Sequence, residues 1–234
     1  MTSRHEVELL GMDACGVDTL IVRFSRPAGY EFSAGQWFRL TLATDQGDVT
    51  ETFSHCSAPS DPLLEMATRR SGSPFKRALA ALEPGTRATI AGPGGHLALP
   101  EGADRITCLV GGVGITPVRS ILRDARARDR VFSDALVLYG NRDETCVPFS
   151  EELLAMGDLG VRTVVCLERA SDAWTGERGF ITAETVRRYM DPADGRLFLL
   201  AGPPAMVGAM EHVLDELEVA QPRRLLERFG EAAG

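Results

Sequence analysis

Ile106-Thr107-Cys108-Leu109-Val110-Gly111-Gly112-Val113-Gly114-Ile115-Thr116-Pro117 is the stretch that decides the fold. Its first five residues are short, apolar and rich in β-branched side chains, as in a strand buried on both faces. Behind them Val118, Ile121, Leu122 and Ala125 recur at i, i+3, i+4 and i+7, one face of a helix. Thr116 suits the N-cap and Pro117 the first helical position, where no amide hydrogen is needed. The glycines between form a tight strand-to-helix turn with no side chains in the way. The free amides and positive dipole end of the following helix favour a phosphate. The spacing is not G-x-G-x-x-G, because Pro117 stands where the third glycine belongs. A turn that serves compactness alone is the alternative.

Outward from this turn the chain divides in two. The first hundred residues read as β structure, with strands at 19–24, 37–42, 50–56, 63–68 and 87–90 separated by glycine- and proline-containing turns. One helix interrupts them at 74–82, opened by Ser73 and Pro74. Short strands broken this often imply a small antiparallel barrel or sandwich. Residues 100–104 form a polar, turn-prone joint. Beyond it strands at 106–110, 135–139, 161–167 and 196–200 alternate with helices at 150–156, 183–189 and 203–217, the pattern of a parallel sheet with helices on both faces. The expected architecture is an N-terminal antiparallel β-barrel over 1–102 followed by an α/β parallel-sheet domain over 103–234. Ligands of such sheets bind beyond the carboxyl ends of the strands. The turns 111–117, 139–142 and 201–204 all fall there.

Composition narrows the function classes. The 234 residues are 44% hydrophobic and 25% charged, ordinary for a globular protein. A net charge of -8 argues against nucleic acid as a partner. No apolar run approaches the ~20 residues of a membrane span, and residues 1–10 lack a signal-peptide core. A cytoplasmic protein is expected. The five cysteines, at 15, 56, 108, 146 and 166, are odd in number and widely spaced, which favours buried inert thiols over a disulfide framework or a metal site. No C-x₄-C-x₂-C cluster is present, so an iron–sulfur centre of the plant-ferredoxin type is excluded.

Seven motifs, in order along nearly the whole chain, resemble the ferredoxin–NADP⁺ reductase-like flavoproteins. Gly35-Gln36 is similar to that family's PGQ turn. Glu51-Thr52-Phe53-Ser54 lies where the family has R-x-Y-S. Residues 72–79 lie where a helix end binds the flavin pyrophosphate. Residues 91–97 resemble the G-P-x-G-x-F turn. Residues 111–117 resemble the G-G-x-G-I-T-P loop for the pyridine nucleotide. Ala201-Gly202-Pro203-Pro204 resembles the C-G-P-P turn facing the nicotinamide, and Leu226-Glu227-Arg228-Phe229 the final E-x-F strand that reaches the flavin.

The resemblance implies FAD held by the barrel and NAD(P)H as substrate of the second domain. Thr52, Phe53, Ser54, Arg69, Ser73, Lys76 and Phe229 are its implied flavin contacts, with Phe53 against the ring in place of tyrosine. Gly111, Gly112, Gly114, Thr116, Pro117, Arg142, Ala201, Gly202 and Pro203 are the implied nucleotide contacts, with Arg142 a candidate for a 2′-phosphate or else a solvent-facing turn residue. Ser54 and Glu227 are the implied catalytic residues. Two departures stand out. Glu51 replaces an arginine that pairs with the pyrophosphate, which implies either another cation in its place, with Arg69, Arg70 and Lys76 as candidates, or flavin phosphates held differently. Ala201 replaces a cysteine beside the nicotinamide. The chain also ends at Gly234 without the terminal aromatic that covers the flavin in some members, which implies an open flavin face or one covered by a partner. The arginine-rich run 123–130 reads as a solvated helix end.

The implied function is a flavin-dependent NAD(P)H oxidoreductase exchanging electrons with a separate carrier such as ferredoxin. Two alternatives stay open: an electron-transfer subunit of a larger complex, and a nucleotide-binding regulatory protein without flavin.

Overall fold

The structure, a computed structural model, describes residues 3–229; the chain end at Gly234 lies outside them. Six antiparallel strands form the first half: β1 (Arg4–Cys15), β2 (Thr19–Ser25), β3 (Trp37–Leu42), β4 (Val49–Ser54), β5 (Leu63–Arg69) and β6 (Arg87–Gly94), with α1 (Pro74–Ala80) between β5 and β6. Their order is β4-β3-β6-β1-β2-β5. The two ends of that order, β4 and β5, return into contact, so the sheet curls into a barrel. Alternation explains the curl: Phe38, Leu40 and Leu42 of β3 point inward and are buried, as do Val22 and Phe24 of β2. Phe53, Phe75 and Leu79 close one mouth of this core.

The second half is a six-stranded parallel sheet. Its strands are β7 (Arg105–Gly111), β8 (Asp134–Asn141), β9 (Val161–Leu167), β10 (Glu177–Arg178), β11 (Leu197–Gly202) and β12 (Arg224–Arg228), in the order β10-β9-β8-β7-β11-β12. Crossovers carry α2 (Ile115–Ala127), α3 (Ser150–Leu154), α4 (Ala183–Tyr189) and α5 (Pro204–Glu216). One apolar cluster packs α2 and α3 on one face, and another packs α4 and α5 on the other. Covering both faces is why β7, β8 and β11 are continuous apolar runs.

The fold departs from the sequence expectation at three places. Thr116 is not the N-cap: a 3-10 turn, Gly112–Gly114, runs straight into α2, whose cap position is Gly114. The Thr116 hydroxyl donates instead to the Val113 carbonyl at 2.9 Å, and the residue is buried with Pro117 inside the first turn. β1 is a long strand that the sequence does not mark, because only Val7 and Leu9 supply its fully buried side chains. The arginine run is not merely solvated. Arg123 binds Asp61 of the barrel at 3.0 Å and Glu152 of α3 at 2.7 Å.

That ion pair belongs to the junction between the halves. Arg119, only 6% exposed, reaches from α2 to Glu65 on β5, to Glu152 at 2.7 Å and to the Cys56 carbonyl at 3.0 Å. Ser120 donates to the Ser57 carbonyl at 2.6 Å. A buried guanidinium with acceptors on β5, on α3 and in the β4–β5 connection fixes the barrel against α2, and removing it would strand a buried carboxylate.

Candidate functional site

The carboxyl ends of β7, β8, β11 and β12 face the open end of β4, and the glycine turn lies between them. Gly114 has ordinary helical φ, but a Cβ there would overlap the carbonyl oxygen of Ala201, so only glycine lets the β7–α2 turn pack against the end of β11. Met206, on the first turn of α5, lays its sulfur over Gly111 and Gly202. Tyr139, at the end of β8, is fully buried and its hydroxyl donates to the Gly112 carbonyl at 2.9 Å. Burial holds that phenol well above the ordinary tyrosine range, so it stays a donor. The turn is thereby held from both sides, with its middle left bare.

Arg69, at the end of β5, hangs over that bare backbone: a Cβ on Gly112 would sit 3.1 Å from its guanidinium. Among the described residues Arg69 makes no ion pair, in contrast to most arginines of this chain. An unpaired cation over a glycine turn is suited to an anionic ligand group.

Opposite the turn, β4 meets β12. The Ser54 hydroxyl donates to Glu227 Oε1 at 3.2 Å, joining residues from the two sheets. The other carboxylate oxygen, Oε2, is buried without a partner. Burial raises the Glu227 carboxyl to about 7, while the Ser54 bond draws it back slightly. Such a group exchanges a proton near neutrality and has one oxygen free for a donor. The neighbouring Phe229 backbone amide bonds the Gly202 carbonyl at 2.9 Å, tying β12 to the end of β11.

A second cluster lies at the barrel mouth. Lys76, in the first turn of α1, binds Glu51 at 2.7 Å and the Thr68 hydroxyl at 2.5 Å. Its ammonium stands 4.2 Å above the Phe53 ring. Ser73 caps α1 by accepting from the Lys76 amide at 3.2 Å, and its hydroxyl donates to Glu51 at 3.2 Å. Glu51 is therefore held by the cation and hydroxyl that the sequence assigns to a phosphate. Burial lowers the Lys76 ammonium, and the pair with Glu51 opposes that shift.

The structure thus joins Ser54 to Glu227, sets Gly111, Gly112, Gly114, Gly202, Arg69 and the Phe229 backbone around the carboxyl ends of β7 and β11, and gathers Phe53, Ser73 and Lys76 around Glu51. Others stand apart. Thr52 is exposed on the outer side of β4, opposite Arg39. Ala201 is fully buried in the apolar core, and Pro203 is exposed at the cap of α5. Arg142 pairs with Asp18 of the β1–β2 turn at 3.4 Å. Thr116 and Pro117 are interior to α2. Sequence reasoning placed the 139–142 turn at this edge without giving Tyr139 a role, and gave none to Met206 or to His55 of the barrel core. His55 follows Ser54, stacks on Phe32 at 3.7 Å and hydrogen-bonds Tyr30 at 3.1 Å. Burial, then Arg26, depresses it to about 3, so it is neutral. Tyr139 was detectable as the polar-tipped aromatic ending an apolar strand. Among the described residues no group of three or more His, Cys, Asp or Glu is set to hold a metal ion, and no helix is long and apolar enough to cross a membrane.

Residues 108–212 match the family model described as an oxidoreductase NAD-binding domain. The chain is 34% identical over 177 residues to ferredoxin–NADP reductase B of Sorangium cellulosum, covering 73% of this chain and 72% of that one. It is 28% identical over 219 residues to NADH-cytochrome b5 reductase 1 of Kluyveromyces lactis, covering 88% and 78% respectively. A crystal structure of a ferredoxin NADP⁺ reductase from Neisseria gonorrhoeae with bound FAD and NADP superposes with a TM-score of 0.85 at 22% identity, over 96% of this chain and 98% of that one.

Proposed function

The chain belongs to the ferredoxin–NADP reductase-like flavoprotein family, and from that premise we propose that it is an FAD-dependent oxidoreductase that takes electrons from NAD(P)H and passes them to a separate redox protein. The observation that carries the reading is the Ser54–Glu227 contact, a hydroxyl and a carboxylate from two sheets meeting beside the glycine turn with one carboxylate oxygen unsatisfied. We assign residues 1–102 to the flavin and residues 103–234 to the nucleotide.

The residues suit a flavin at one end better than at the other. Ser54, the orphaned oxygen of Glu227 and the bare Gly112 backbone suit a flat polar ring. Arg69 suits a phosphate. Glu51 does not, since two anions side by side repel, and it also occupies the Lys76 ammonium and Ser73 hydroxyl that a phosphate would need. In this reading Arg69 carries the anchoring that Glu51 cannot, and Phe53 supports the ring edge from below Lys76.

FAD held here would supply the chemistry that links two-electron nicotinamide oxidation to one-electron carriers. The protein supplies position and protons. Gly112 gives the nucleotide close backbone approach, Gly111, Gly114 and Gly202 let the turn pack tightly on the end of β11 and on Met206, and Tyr139 fixes that turn. Ser54 orients the Glu227 carboxyl, which holds or gives up a proton near pH 7. The buried Ala201 keeps the end of β11 free of a reactive side chain. The carrier is a small one-electron protein, ferredoxin or another, and a partner subunit could serve as one; cytochrome b5 and monooxygenase components feature in the names of similar proteins.

The test is anaerobic. Protein reconstituted with FAD and freed of excess is mixed with NADH or NADPH, then with a one-electron acceptor. Bleaching by a nucleotide and recovery with the acceptor support the reading. Protein that takes up no FAD favours the flavin-free nucleotide binder, for which the Glu51–Lys76 pair is the supporting observation.

A further inference from the structure

Three of the five cysteines are sealed in the core: Cys56, Cys108 and Cys166 are at most 1% exposed. Cys15 and Cys146 differ in both exposure and company, for each is only partly buried. Cys15 ends β1 and pairs in register with Thr19 at the start of β2. Cys146 lies in the loop between β8 and α3, in the other half of the molecule. Cys15 directly precedes Gly16, whose backbone stands against Cys146, so the two side chains are neighbours across the halves. The backbone enforces the meeting. Gly16 has φ +60, and a Cβ on it would stand 2.7 Å from the Cys146 Cβ and 2.9 Å from the Thr145 carbonyl. Only glycine lets the hairpin turn lie this closely on the loop. The Asp18–Arg142 pair, at 3.4 Å, clamps the same two segments.

We propose that Cys15 and Cys146 form a two-cysteine oxidation site, converted by a hydroperoxide into a disulfide that ties the barrel hairpin to the β8–α3 loop. Either thiolate can open the reaction; written for Cys15, the thiolate attacks a peroxide oxygen. The O–O bond breaks, water leaves after taking a proton, and Cys15 becomes a sulfenic acid. The Cys146 sulfur then attacks the Cys15 sulfur, the S–O bond breaks, and hydroxide departs as a second water with the Cys146 proton. Two thiols and one hydrogen peroxide give one disulfide and two waters; the sulfurs lose two electrons and the peroxide oxygens gain them.

The bond would matter because of where it lies. Tyr139, whose hydroxyl holds the Gly112 carbonyl, lies on β8, the strand from whose end the Cys146 loop departs. The disulfide would also close a loop of more than half the chain, for which the chain-entropy model gives a large stabilising effect. The proposal does not depend on any reading of the activity.

The test uses the full chain treated with hydrogen peroxide, denatured, alkylated and digested. The expected result is three alkylated thiols in place of five, a peptide pair linking Cys15 to Cys146, and a rise in Tm of roughly 5 °C or more that a dithiol reductant reverses. Cys15→Ser and Cys146→Ser should each abolish the linked pair. The wild-type digest decides even if a variant folds poorly. Five free thiols, oxidation of either cysteine without linkage, or linkage between two molecules would each overturn the proposal.

Discussion

The Ser54 hydroxyl on β4 and the Glu227 carboxylate on β12 meet at 3.2 Å, although they lie in different sheets and 173 residues apart. The contact leaves Glu227 Oε2 buried and unpaired, and the carboxyl titrates near 7 in place of 4.5. The sign of the stability effect follows. Because the folded state binds this proton more tightly than the unfolded state, the stabilisation is complete below about pH 4.5 and is lost as pH rises through about 7. Urea unfolding at several pH values should show stability falling across that window. Glu227→Gln, which cannot ionise, should flatten this component; an unchanged slope would reassign it to another group.

Glu51→Gln should improve flavin retention. It removes the negative charge that holds Lys76 and Ser73, freeing both for a phosphate. Quenching of FAD fluorescence should report binding tighter by roughly tenfold, with a smaller gain for riboflavin, which lacks phosphate. Lys76→Ala should weaken FAD binding, because it leaves Glu51 uncompensated. Equal gains for FAD and riboflavin would mean that phosphate repulsion is not the cause.

Arg119→Met should destabilise the fold by about 3–5 kcal/mol, the cost of leaving a buried charge unpaired. The guanidinium serves Glu65, Glu152 and the Cys56 carbonyl together, and methionine reaches none of them. Chemical denaturation measures the loss. A loss below about 1 kcal/mol would put Arg119 among ordinary surface pairs.

Gly114→Ala should damage nucleotide binding more than flavin binding. The added methyl would collide with the Ala201 carbonyl and displace the turn that Tyr139 holds through Gly112. Titration of the FAD-loaded variant with NADP⁺ or NAD⁺ should show affinity reduced by at least about tenfold, with FAD still bound. Unaltered nucleotide affinity would remove the turn from the site.

Much of this was legible locally. The switch from period-2 strands to alternating strands and helices near residue 105 marks the two halves, and Trp37–Leu42, Val161–Leu167 and Ala183–Tyr189 fall where periodicity puts them. Local patterns fail where the partner is distant. Nothing near Arg119 announces Glu65, and nothing near Cys15 announces Cys146. Arg123 reads as solvated because its acceptor, Asp61, belongs to the other half. Thr116 has the chemistry of a cap, but the 3-10 turn before it already continues into α2. Motif position made Glu51 conspicuous; its partners on α1 became visible only in three dimensions.

The central claim is that the cleft between Ser54–Glu227 and the glycine turn is where a pyridine nucleotide delivers its electrons. Stopped-flow mixing of anaerobic FAD-loaded protein with NADH and with NADPH, in the natural chain and in Ser54→Ala, tests it most directly. The account predicts rapid flavin bleaching by at least one nucleotide, slowed roughly tenfold or more in Ser54→Ala. No bleaching by either nucleotide, or an equal rate in the variant, would contradict it.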